Sequence, residues 1–234
     1  MTYLLDVPGD VTGTPEKEGG VEGDTITFTL DGRTVAATPW HSGTNTRLDF
    51  HAYGITLLPG WNLVSFHLQP VSTAITDVLA GLSDQYDLVY TWNAPSQAWL
   101  KHDNIPMSSD SLTTLDETMG FWIHITTTAQ MLGVAGRLPT TTPISLSAAD
   151  AGWNLIGYPS VATRNLPEAL SEHGVGEDFT LVYAYRAIDT ADPWKLYDHN
   201  APVWSNDLSA LAPDGGYWVQ VTVTHTLTVA YPAP

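Results

Sequence analysis

Gly60-Trp61-Asn62-Leu63-Val64 and Gly152-Trp153-Asn154-Leu155-Ile156 are one pentapeptide written twice, 92 residues apart and differing only in the last side chain. Outward from this pair the matches keep their order. Leu88-Val89-Tyr90 returns as Leu181-Val182-Tyr183, and Trp99 with Asp103 returns as Trp194 with Asp198. Leu112, Leu115 and Gly120-Phe121-Trp122-Ile123 return as Leu208, Leu211 and Gly216-Tyr217-Trp218-Val219. The offset grows from 92 to 96 along the chain, as it must when loops lengthen between fixed strands. Ordered matches of this kind identify a tandem repeat.

Each copy reads as a small β-rich unit. The Gly-Trp-Asn-Leu block is a strand with Trp61, Leu63 and Ser65 on one face. A short helix follows: Ser72 or Thr73 caps residues 74–80, and Asn165-Leu166-Pro167 opens the equivalent helix. A hairpin comes next, Asp87–Trp92 turning through Asn93-Ala94-Pro95-Ser96 to Ala98–Lys101. Its twin runs Thr180–Tyr185, turns through Asp189–Pro193 and returns at Trp194–Tyr197. Strands at Phe121–Thr126 and Met131–Val134, or Tyr217–Thr222 and Thr226–Tyr231, close each copy. The first fifty-odd residues lie outside the repeat. There Thr25–Leu30 alternates, Asp31-Gly32 marks a tight turn and Arg33–Ala37 returns, with further strands expected at Tyr3–Val7 and Thr46–Phe50. The expected fold is mostly β with short helices, a β-rich α+β chain. An N-terminal β-sheet segment (1–54) precedes copy 1 (55–136), a Pro/Thr linker (137–143) and copy 2 (144–234).

Composition narrows the function. Eight Lys and Arg stand against 25 Asp and Glu, a formal net charge of −17. Such a surface repels phosphate, so nucleic acid is not an expected partner and anionic membranes are disfavoured. No apolar run is long enough to span a bilayer, so membrane insertion is not expected. The chain has no cysteine, which removes disulfides, thiolate nucleophiles and Cys-ligated zinc. Thirty threonines against three lysines give strands whose exposed faces are solvated by hydroxyls rather than long charged chains. This composition reads as extracellular, secreted or on a cell surface. The Pro-rich end, Tyr231-Pro232-Ala233-Pro234, reads as the start of a linker in a larger exported protein.

The pairing of Gly-Trp-Asn-Leu-(Val/Ile) with a later Gly-(Phe/Tyr)-Trp-(Ile/Val) strand resembles tandem modules of large exported proteins of filamentous green and other environmental bacteria. Those modules lie beside glycoside hydrolase, Ig-like or dockerin-type domains. Glu22–Phe28 through Trp40-His41-Ser42-Gly43-Thr44 is similar to the closing strands of an Ig-like module. The resemblance implies an extracellular accessory region, with carbohydrate as its ligand.

Aromatics carry the functional signal. Sugar C–H faces stack on exposed indoles and phenols. The repeated Trp61, Trp122, Trp153 and Trp218 sit among Leu, Ile and Val, and their expected role is core packing. Candidates for ligand contact are therefore the turn-proximal or unrepeated rings: Trp92, with Tyr185 as its counterpart, Trp99 and Trp194, Trp204, and Trp40. Asp103-Asn104 with Asp110, and Asp198-His199-Asn200 with Asp207, match no calcium loop and read as turn and cap groups, with structural calcium left open. His102 and His199 read as surface or turn residues, and His124 as pointing outward from its strand. No catalytic motif, metal ligand set or cofactor signature is present. The expected function is a non-catalytic module binding polysaccharide through exposed aromatics. The alternative is a spacer, adhesion or homo-oligomerisation module without sugar binding.

Overall fold

The structure, a computed structural model, describes residues 6–17, 19–30, 33–44, 51–104 and 109–230. It is mostly β, with antiparallel sheets and only short helical turns. Near the N-terminus β1 (Thr25–Leu30) and β2 (Arg33–Pro39) form a two-stranded ribbon, with Trp40 against the backbone of Gly20. Most of the strand expected at Tyr3–Val7, the turn at Asp31-Gly32 and the strand at Thr46–Phe50 lie outside the described residues.

The first of two larger units contains β3 (His51–Leu57), β4 (Gly60–Val64), β5 (Gln69–Pro70), helix α1 (Ile75–Val78), β6 (Tyr86–Asn93), β7 (Ala98–Asp103), β8 (Phe121–Ile125) and β9 (Gln130–Arg137). The second contains β10 (Thr141–Leu146), β11 (Trp153–Gly157), β12 (Arg164–Asn165), helix α2 (Glu168–Leu170), β13 (Phe179–Tyr185), β14 (Trp194–Asp198), β15 (Ala210–Leu211), β16 (Gly216–Val221) and β17 (His225–Ala230). Each unit has a four-stranded sheet, ordered β4-β8-β6-β7 in one and β11-β16-β13-β14 in the other. Behind each lies a smaller sheet, β3-β9-β5 or β10-β17. The sequence-matched blocks fall on corresponding strands, and β6 and β13 carry register shifts at matched places, Tyr86/Leu88 and Phe179/Leu181.

Two separate cores follow from strand alternation. In β8, Phe121, Ile123 and Ile125 point inward and join Leu57, Phe66, Leu68, Leu79, Val89 and Leu132. In β16, Tyr217, Val219 and Val221 do the same with Ile144, Tyr158, Phe179, Val182 and Leu227. Strands β3 and β10 were not legible as the first members of their units. Each pairs with its unit's last strand, β9 or β17, so part of the expected linker, Thr141–Pro143, is sheet. Strand β3 also runs through residue 54, where the N-terminal segment was expected to end.

The repeated pentapeptide has a local explanation. Gly60 and Gly152 have φ of +88° and +71°, a backbone region that side chains rarely adopt. The buried Asn then clamps the turn that precedes it. Asn62 accepts from the Leu58 N–H at 2.9 Å and donates to the carbonyls of Leu58 and Gly60. Asn154 accepts from the Ser147 N–H at 2.8 Å and donates to the carbonyls of Ser147 and Gly152. The helices are shorter than expected. Ser72 accepts from the Ala74 N–H and donates to Asp77, tightening the entry to α1 without capping its first residues. No helix among the described residues is long and apolar enough to cross a membrane.

Candidate functional site

The two four-stranded sheets meet through the faces turned away from their cores. On β6, Val89 and Thr91 are buried while Tyr90 and Trp92 alternate onto the opposite face. On β8, Trp122 and His124 alternate with the core residues in the same way. Trp61, Trp122, Trp153 and Trp218, expected in the cores, belong to neither core. The alternation that placed His124 outward places Trp122 outward as well, because side chains two apart share a face. The bulk of indole suggested burial, but strand period decided its direction.

Eight rings form a closed circuit. From Trp61 it passes to Trp122 at 6.3 Å between centroids, to Trp194 at 5.6 Å, to Tyr183 at 6.2 Å and to Trp153 at 5.9 Å. It returns through Trp218 at 6.3 Å, Trp99 at 5.5 Å and Tyr90 at 6.1 Å, closing on Trp61 at 6.0 Å. Exchanging the sequence-matched residues of the two units leaves this set of contacts unchanged. Trp92 braces Trp99 and Trp218, and Tyr185 braces Trp194 and Trp122. Trp99 remains 49% exposed, Trp194 44% and Trp61 37%. Solvent therefore reaches three indoles held by neighbouring rings.

Main-chain contacts lock the seam beneath. Val64 bridges Gly215, and Ile156 bridges Met119, at matched positions. The Ser65 N–H donates to the Asp214 carbonyl at 2.9 Å, and the Gly157 N–H to the Thr118 carbonyl at 2.8 Å. The motif leucines, Leu63 and Leu155, are buried but outside both cores; they pack where Gly216 and Gly120 cross. Side chains break the match. Ser65 Oγ donates to the Gly215 carbonyl and His67 Nδ1 pairs with Asp214 at 2.7 Å, whereas Gly157 and Pro159 stand at the corresponding places.

The charges around the circuit are internally paired. Lys101 lies 3.4 Å from Asp103, and Lys195 lies 3.0 Å from Asp189 and 2.9 Å from Asp192. Hydrogen bonds that the Lys195 ammonium donates to Asp192 and Asp189 hold it above its usual range. His124 lies tilted against Trp61, 4.8 Å between ring centroids, and pairs with Asp87 at 2.7 Å. At the matched place in the second unit Thr180 donates to Gln220 at 2.6 Å. Near the seam, burial pushes the Glu117 carboxyl up.

Of the aromatic candidates named from the sequence, the structure gathers Trp92, Trp99, Tyr185 and Trp194 into this one site. Trp92 is half-buried and donates its indole N–H to the Trp153 carbonyl at 3.1 Å, so part of its role is to join the units. Trp204 stands elsewhere, 86% exposed in the turn Val203–Ser205. Trp40 is tied to the N-terminal segment by a bond from Nε1 to the Val7 carbonyl. The acidic loops serve as turn groups. Asp110 accepts from the Asp103 N–H, Asp207 from the Leu196 N–H, and Asp198 from the Asn200 N–H. His102 is not a surface residue. It is buried, with Nδ1 on Asp110 at 2.8 Å and Nε2 on the Tyr86 hydroxyl at 3.2 Å. Burial, with the Asp110 charge, pushes the Tyr86 phenol up to about 12, so this chain of three residues is a neutral-phenol brace. Among the described residues no three His, Asp or Glu side chains gather as a metal site. No family model, curated protein or solved structure matches the chain.

Proposed function

We propose that the chain is a non-catalytic, extracellular module that binds polysaccharide on the aromatic circuit, and that its two units are copies of one ancestral repeat. One observation carries the reading: Trp61, Trp99 and Trp194 keep 37–49% of their surface in solvent while neighbouring rings fix their orientation. Leaving these indoles partly wet forgoes a part of the roughly 1.5–3 kcal/mol that full burial of a large side chain contributes, and preorganised rings lose little conformational freedom on binding. The stacking partner is a neutral chain. Lys101 and Lys195 are occupied by carboxylates, and a net charge of −17 opposes uronate- or sulfate-rich polymers.

A second reading has its own support. Edge-to-face contacts occur across the sheets, with Trp99 and Trp218 at 78°, and within one sheet, with Trp92 and Trp99 at 71°, while the other cross-sheet pairs are tilted at 53–59°. Edge-to-face is a geometry in which aromatic pairs stabilise one another, so the circuit also suits a spacer or assembly module.

Native affinity electrophoresis against neutral plant, algal and fungal polysaccharides separates the two. Retardation by one polymer class, lost in Trp99→Ala and Trp194→Ala and kept in Trp204→Ala, supports the binding reading. Absence of retardation by every polymer leaves the spacer role.

A further inference from the structure

Beside the Met119–Ile156 bridge the seam opens into a cavity of about 300 Å³, with walls from both units. Its apolar side is made by Trp92, Leu100, Met119 and Ile144. Asn93 of the first unit and Ser145 of the second supply polar groups. Asn93 Oδ1 accepts from the Ser96 N–H, which fixes the amide; its Nδ2 and the Ser145 hydroxyl have no partner among the described residues. None of the lining residues is charged. At the opposite seam Ser65, His67 and Asp214 interlock by side chains, and no such interlock joins the matched Gly157, Pro159 and Thr118. An aromatic wall, one fixed amide, the hydroxyl of the exposed Ser145 and no charge describe a site for a small neutral amphipathic ring.

We infer that this cavity is a second subsite that takes one neutral pyranose residue, stacked on Trp92 and hydrogen-bonded to Asn93 Nδ2 and Ser145 Oγ. Trp92 also touches Trp99 at 5.4 Å, so the subsite adjoins the aromatic circuit and receives a terminal or branch residue of a chain lying there. The choice of ligand class rests on the polysaccharide reading above; the pocket itself does not.

The test is ¹H–¹⁵N NMR of the full chain titrated with the methyl glycosides of glucose, galactose, mannose and xylose, and with glucuronate. At least one neutral glycoside shifts the Asn93 side-chain amide and the Trp92 indole N–H, saturating at millimolar concentration, while glucuronate shifts neither. Ser145→Phe, which fills the cavity, weakens that binding by about tenfold or more, and Ser145→Ala by about two- to fivefold, the scale of one lost hydrogen bond. Unchanged amide dispersion elsewhere shows that both variants are folded. Silence of Asn93 and Trp92 toward every glycoside overturns the inference, as do shifts that persist in folded Ser145→Phe. Polymer retardation with a silent cavity removes the subsite and leaves the binding reading intact. Glycoside shifts without any polymer retardation establish the subsite and remove the binding reading.

Discussion

Asn62 and Asn154 show what a single residue contributes here. Each is almost fully buried, and each satisfies main-chain groups of the turn before its strand, at Leu58 and Gly60 or at Ser147 and Gly152. Replacing either by alanine leaves those groups without partners in a place that water enters poorly. Urea denaturation of Asn62→Ala and Asn154→Ala is expected to show a loss of about 2–3 kcal/mol each. A loss below about 0.5 kcal/mol would mean that water replaces the amide. The motif therefore has the same structural role twice, and its tryptophan and leucine share the face turned away from the core. Reading the pentapeptide as a strand was sound from the sequence. The role of its Asn was not legible, because the groups it binds belong to a turn whose path nothing in the sequence reveals.

At the scale of elements, the crossing of the two sheets is set by glycine. An added Cβ on Gly120 would lie 2.5 Å from the Ile156 carbonyl oxygen and 3.0 Å from Leu155 Cδ1. The first of these is backbone held in a bridge and cannot rotate aside. Gly120→Ala is expected to cost about 3 kcal/mol and to part the seam, read as a red shift of tryptophan emission below the unfolding midpoint. Gly60→Ala meets nothing within 4 Å and carries only the cost of a positive φ, about 1 kcal/mol. Equal effects at the two positions would refute the close crossing. Hairpin β6–β7 and its twin β13–β14 were readable from alternation and turn residues. Strands β3 and β10 were not, since nothing local distinguishes Tyr53–Leu57 or Thr141–Leu146 from connecting chain until they pair with β9 and β17.

For the whole molecule, charge sets a competition. Local contacts such as Lys17–Asp24, the Lys195 cluster and His225–Asp178 favour the fold, while a net charge of −17 opposes compaction. Exposed ion pairs contribute little, and most of these are at the surface. Screening the long-range repulsion is therefore expected to dominate. Raising NaCl from about 10 mM to about 500 mM, where the Debye length falls from tens of ångströms to a few, should raise Tm by on the order of a few degrees. A falling Tm in a thermal melt would show that the local pairs outweigh the repulsion.

The sequence by itself determined the β class, the position of the matched strands, the absence of cysteine chemistry and the acidic surface. All of these follow from composition or from patterns spanning a few neighbouring residues. It also picked out Trp92, Trp99, Tyr185 and Trp194, because strand ends beside polar turns are recognisable locally. Only the tertiary structure decided that Trp61, Trp122, Trp153 and Trp218 leave the cores to meet across two sheets, and that one seam interlocks while the other opens into a cavity. A strand's period says that its side chains face two ways. Which face becomes core, and what covers the other, depends on a partner sheet some 90 residues away in the chain.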